Sequence, residues 1–217
     1  MATILVIANP SDPATRIGYY YMKRFSEYAV RLGHSVIFQK TPTLQALHKA
    51  ITTYDPKLVV ANGHGGFKSL AVDSNIIIGI KSYDEAIARK IERQNPEWFQ
   101  GRIVLLLTCN AGRELAHGLM DYGAQAVMGF REPFIFMSDD TVVAERDISA
   151  KPFFLSLLQP ALQLVHGASF AQACSATKDA FTYYLEQAEA AGDEKSAKYF
   201  YFDRENLVSM GDFSVRL

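Results

Sequence analysis

The sequence predicts a single α/β domain spanning residues 1–217, in which a mostly parallel sheet of about six strands is flanked by helices. Short runs of β-branched and aliphatic residues alternate with longer segments of helical apolar spacing, the order that right-handed βαβ crossovers produce. Most of those runs are apolar throughout, as in strands covered on both faces. No internal repeat, low-complexity tract or linker interrupts the 217 residues, so a second domain has no boundary to occupy.

Thr3-Ile4-Leu5-Val6-Ile7-Ala8 reads as the first buried strand, and the turn-rich Asn9-Pro10-Ser11-Asp12-Pro13 ends it. A helix follows over Ala14 to Leu32, spaced through Ile17, Tyr20, Tyr21, Phe25, Tyr28 and Ala29 and closed by Gly33. The loop between them has no glycine run and offers no nucleotide phosphate site. Ser35 to Gln39 gives a second strand, and Leu44 to Tyr54 a helix stopped at Asp55-Pro56. Val59-Val60-Ala61-Asn62-Gly63-His64-Gly65-Gly66 is a third strand that runs out into a histidine and glycines.

Ser69 to Ile80 alternates around Asp73-Ser74-Asn75, which predicts a small hairpin outside the main sheet. A helix from Tyr83 to about Gln94 comes next. Ile103 to Leu107 is a further buried strand, ending in Thr108-Cys109-Asn110-Ala111-Gly112, and Asn110 to Tyr122 has helical spacing. Gln125 to Phe130 is another strand. From Arg131 to Ala150 the periodicity weakens, and Asp139, Asp140, Glu145 and Asp147 make the segment acidic; a solvated loop is the ordinary explanation. Phe153 to Val165 and Ser169 to Ala190 read as two helices split at Gly167, and Leu207 to Gly211 as the last strand. The Tyr- and Phe-rich clusters at Tyr19 to Tyr21 and Tyr199 to Phe202 read as packing.

Charge and composition narrow the function classes. The 22 basic and 23 acidic side chains give no global field to recruit nucleic acid or an anionic membrane. There is no signal-peptide pattern and no apolar run of membrane-spanning length, and only two cysteines occur, so a reducing cytoplasm is the expected location. The expectation is no metal, no cofactor and no nucleic-acid or membrane partner.

Two strand ends carry the chemistry. If the strands ending at His64 and Cys109 are parallel neighbours, their ends lie about 4.8 Å apart and both side chains emerge at the carboxyl edge of the sheet. Cysteine attacks as thiolate, and an imidazole within reach takes the thiol proton or delivers one to a leaving amine. Gly65 and Gly66 let a substrate backbone approach beside His64. A helix starting just after Cys109 would present its positive end and favour both thiolate and oxyanion.

Strand-His-Gly, a hairpin and helix, then strand-Thr-Cys-x-Ala-Gly resembles the caspase-like cysteine peptidases, and within them CHAT domains most of all. The likeness rests on Asn62-Gly63-His64-Gly65-Gly66, on Leu107-Thr108-Cys109-Asn110-Ala111-Gly112 and on Ala126 to Phe130. It extends to His166-Gly167-Ala168-Ser169 and Leu207-Val208-Ser209-Met210-Gly211-Asp212. The resemblance implies a caspase-like three-layer domain with His64 as catalytic histidine and Cys109 as nucleophile. It further implies an oxyanion hole from the N–H groups of Gly65 and Cys109. An acidic pocket for a substrate Arg or Lys is also implied, for which Asp139 and Asp140 are the candidates. CHAT domains often accompany helical repeats; these 217 residues carry none, so the expectation is either a regulator that is a separate protein acting in trans or a domain excised from a longer chain.

Gln172-Ala173-Cys174-Ser175 echoes another caspase motif, and His117-Gly118 precedes it by about fifty positions, much as His64 precedes Cys109. Cys174 lies in a small-residue helix with no strand before it and His117 lies mid-helix, so both read as packing residues. The leading function is therefore a cysteine endopeptidase acting on a peptide or protein. The alternative is a non-catalytic interaction module on the same fold, for which intact His64 and Cys109 would be unnecessary. In a glutamine amidase the nucleophile usually precedes the histidine; here it follows.

Overall fold

A computed structural model describes residues 1–72, 75–80 and 95–217 of the chain. The first five elements are β1 (Thr3–Ala8), α1 (Pro13–Arg31), β2 (Ser35–Lys40), α2 (Leu44–Tyr54) and β3 (Leu58–Ala61). A short β4 (His64–Gly65) and the hairpin β5 (Ser69–Val72) and β6 (Asn75–Gly79) follow, then a 3-10 turn at Pro96–Phe99. The chain continues through β7 (Ile103–Leu106), α3 (Glu114–Asp121) and β8 (Ala126–Phe130). After a 3-10 turn at Ala144–Arg146 come α4 (Lys151–Val165), α5 (Phe170–Ala190), α6 (Glu194–Asn206) and β9 (Leu207–Gly211). The expected helix from Tyr83 and the Asp73-Ser74 turn lie outside the described residues.

Six strands form one sheet in the order β2-β1-β3-β7-β8-β9. Every pairing is parallel except β8 with β9. Strands β3 and β7 are direct neighbours, with Leu58 opposite Ile103 and Ala61 opposite Leu106. Alternate strand residues bury on opposite faces: Ile4, Val6, Val60 and Leu105 pack under α1, α4, α5 and α6. Leu5, Ile7, Val59 and Leu106 pack against α2, α3 and the 3-10 turn at Phe99. The sheet is thus the middle of three layers, and covering both faces is why its strands read as unbroken apolar runs. Strands β4, β5 and β6 make a separate antiparallel sheet, which is the expected hairpin with the histidine segment added as a third strand.

Three expectations change. Helix α3 begins at Glu114, not at Asn110, because the chain after Cys109 is drawn sideways onto β8: Gly112 N–H donates to Phe130 O at 2.8 Å and Asn110 N–H to Glu132 O at 3.2 Å. Asn110 takes a left-handed φ of 58° to make that turn, and any side chain at Gly112 would meet Val208 and the β8 backbone. Asp147, which looked like part of a solvated loop, is buried and organises that loop. Its carboxylate accepts from the N–H groups of Asp139, Ser149 and Ala150. His117 is exposed on α3 rather than packed, whereas Cys174 is buried on α5 in the opposite helical layer, so the two form no pair.

Candidate functional site

Asn62 Nδ2 donates to Leu107 O at 2.9 Å, Leu107 N–H donates to Ala61 O at 2.9 Å, and Thr108 Oγ1 donates to Gly63 O at 2.7 Å. These bonds carry the β3–β7 pairing two residues beyond the sheet, so residues 61–65 and 106–109 leave it side by side. Gly65 completes the contact: a Cβ there would lie 1.7 Å from Cys109 O and 2.8 Å from Thr108 Oγ1, which only glycine avoids. His64 therefore stands between two residues that touch Thr108 or Cys109, Gly63 through the Thr108 hydroxyl and Gly65 at the Cys109 carbonyl.

The exposed His64 ring is held from a third direction. Its Nε2 lies 2.7 Å from Oδ2 of Asp12, in the turn after β1. Asp12 is also the N-cap of α1, its Oδ1 accepting from Thr15 N–H at 3.0 Å and its Oδ2 from Thr15 Oγ1 at 2.8 Å. Partial burial works to raise the Asp12 carboxyl, but the Thr15 bonds and the histidine outweigh it and hold the group below the usual carboxylate value. A charged acceptor on Nε2 fixes the proton there and leaves Nδ1 as the basic ring nitrogen.

Cys109 is half-buried, and its Sγ–H points at Phe134 O, 4.0 Å away. Burial pushes the thiol above its ordinary value, and the nearby Asp203 carboxylate adds to the rise. With α3 beginning at Glu114, the expected helix N-terminus does not directly follow Cys109. Of the two expected oxyanion donors, Cys109 N–H faces its own sulfur and favours the thiolate, against the burial that raises the thiol. The Gly66 N–H bond to Ser69 O at 2.7 Å makes that pair the hydrogen-bonded one, and ladder alternation then turns Gly65 N–H away from β5.

Asp139 and Asp140 are exposed and line a groove of about 830 Å³ against Arg16, Lys23 and Arg24 of α1; His64 and Cys109 are not among its walls. Asp139 is engaged in its own turn, accepting from Thr141 N–H at 2.9 Å and Thr141 Oγ1 at 2.6 Å. The acid that does act on Cys109 is Asp203, near the end of α6. It is 0% exposed; its Oδ1 accepts from Ile135 N–H at 3.0 Å, and its Oδ2 has no partner among the described residues. Burial pushes its carboxyl up to about 8. Sequence reasoning missed both Asp12 and Asp203. The first carried a signal, an Asp before Pro-Ala-Thr that is a good helix N-cap; the second carried none.

Among the described residues no group of three His, Cys, Asp or Glu side chains is placed to hold a metal ion, and no helix is long and apolar enough to cross a membrane. The chain matches no protein-family model and no curated protein.

Proposed function

We propose that the protein is a cysteine endopeptidase of the caspase-like kind, with His64 and Cys109 as its dyad and a peptide or protein as substrate. The observation that supports this most is the parallel β3–β7 pairing, which brings the histidine and cysteine segments out of the sheet in contact. In this reading His64 Nδ1 takes the Cys109 proton as the sulfur attacks the scissile carbonyl carbon. The oxyanion is held by the N–H groups of Cys109 and Gly65. Collapse expels the amine, which takes the proton back from Nδ1, and leaves a thioester on Cys109. Water then gives a proton to His64 and its oxygen to the acyl carbon; the acid departs and the thiol is restored.

Asp12 orients the imidazole and stabilises the imidazolium that forms at both steps. The raised thiol means that Cys109 rests protonated, with proton transfer coupled to attack rather than preceding it. A preference for Arg or Lys at P1 belongs to the same proposal, and so does a cytoplasmic setting with any regulator acting in trans.

The competing reading, a protein-interaction module on this fold, draws on one observation: Cys109 Sγ hydrogen-bonds to the Phe134 carbonyl rather than to His64. Labelling with a peptidyl acyloxymethyl ketone decides between them. A peptidase is labelled at Cys109 in the wild type and not in Cys109→Ala, and only weakly in His64→Ala. Absent labelling, or equal labelling with and without His64, sinks the peptidase and leaves the module.

A further inference from the structure

We propose that a small phosphate-bearing anion binds a polar pocket on the far side of β8 from β7, where Arg131, Lys178, Arg204 and Ser209 converge, and that its binding restrains Cys109. The pocket has a volume of about 400 Å³, and Glu205 is its single acid. Four elements build it: the exit of β8, α5, α6 and β9. Arg131 Nη2 donates to Glu205 O at 2.7 Å. Arg204 donates through Nε to the Glu205 carboxylate at 3.0 Å and through Nη1 to Thr182 Oγ1 at 3.1 Å, with its guanidinium 5.4 Å from the centre of the Tyr201 ring. Each fork is fixed on one side and keeps N–H donors without an acceptor among the described residues. The ammonium of exposed Lys178 has no hydrogen bond or ion pair among those residues.

Three cations against one acid, held in a concave polar site, suit a ligand that carries two negative charges on closely spaced oxygens. A phosphate monoester meets that description, and its tetrahedral oxygens can face all three cations at once. The chain as a whole has a formal net charge of −1, so no broad positive field surrounds the pocket, which fits a compact anion better than a long polyanion.

The two arginines sit on the segments that hold the cysteine. Arg131 N–H donates to Asn206 O at 2.9 Å, and Arg131 is followed at once by Glu132, Phe134 and Ile135. The carbonyls of Glu132 and Phe134 receive Asn110 N–H and Cys109 Sγ–H, and Ile135 N–H is held by Asp203, the residue before Arg204. An anion bridging Arg131 and Arg204 ties the β8 exit to the end of α6 and thereby firms the wall against which the thiol rests.

Calorimetric titration and thermal unfolding with inorganic phosphate and phenyl phosphate, against chloride at equal ionic strength, test the site. Both phosphates should bind and raise Tm, and Lys178→Glu should weaken binding at least about tenfold. Since Lys178 is exposed and unpaired, that variant should keep its circular dichroism spectrum, and Arg131→Gln provides a second, milder change. No binding heat and no Tm rise, an equal rise with chloride, or unchanged binding in both variants would overturn the site. Saturating phosphate should slow iodoacetamide labelling of Cys109; an unchanged rate would overturn the restraint. None of these measurements uses peptide hydrolysis, so the site stands or falls separately from the peptidase.

Discussion

Replacing Asp203 by Asn should remove a contribution to stability that declines as pH rises. The carboxyl is 0% exposed with one oxygen unpartnered, and burial pushes it up to about 8. In the unfolded chain the same group titrates at about 3.9. Between those values the folded protein keeps a proton that the unfolded chain releases, so this group's contribution is most favourable at low pH and declines as pH rises to the folded value. Each pH unit inside the window costs about 1.4 kcal/mol, or roughly 3 kcal/mol from pH 5 to pH 7. Asn has the shape of the protonated acid and retains an oxygen for Ile135 N–H, so the variant removes the titration while keeping that bond. Urea unfolding of both proteins at several pH values measures the effect, and taking their difference cancels the titrations they share. The variant should gain on the wild type by roughly 3 kcal/mol over that range. Parallel stability curves would refute the assignment of a neutral, buried Asp203.

Asp12→Asn should keep the α1 cap, through an oxygen for Thr15 N–H, yet lower kcat for peptide hydrolysis roughly ten- to a hundredfold, part of what general acid–base catalysis contributes. Asp12→Ala should lose the cap as well, destabilising the protein by about 0.5–2 kcal/mol in urea unfolding; if Asn and Ala are equally active as wild type, Asp12 serves only the helix. Iodoacetamide should alkylate half-buried Cys109 faster than buried Cys174, read by peptide mass mapping; since burial raises both thiols, exposure decides the order. Asp139→Ala and Asp140→Ala should leave any preference for Arg or Lys at P1 in place, because the groove they line does not include Cys109. Fluorogenic peptides varied at P1 check this, and loss of the preference in either variant would restore those residues as the pocket.

The sequence by itself determined the sheet and the residues at its carboxyl edge. Strands buried on both faces must be apolar throughout, so Thr3–Ala8, Val59–Ala61 and Ile103–Leu106 were readable without a partner in view. β/α alternation then argued for a mostly parallel sheet, in which β3 and β7 are direct neighbours. Helix α6 escaped notice because EKSAKYFYFDREN has no clean apolar stripe. It is held by particular contacts, above all Phe200 stacked on Phe153 with ring centres 3.9 Å apart. Only the tertiary structure decided what surrounds the two reactive side chains. Asp12 lies in a turn that any sequence reading assigns to punctuation, and it becomes the partner of His64 because β1 and β3 are adjacent in the sheet and end on the same edge. Asp203 reaches Cys109 because β9 returns antiparallel to β8 and brings the end of α6 over the loop from Phe134 to Ile135. The charge state of each group was likewise beyond the sequence, because the burial that raises Cys109 and Asp203 and the hydrogen bonds that lower Asp12 exist only once distant segments have packed.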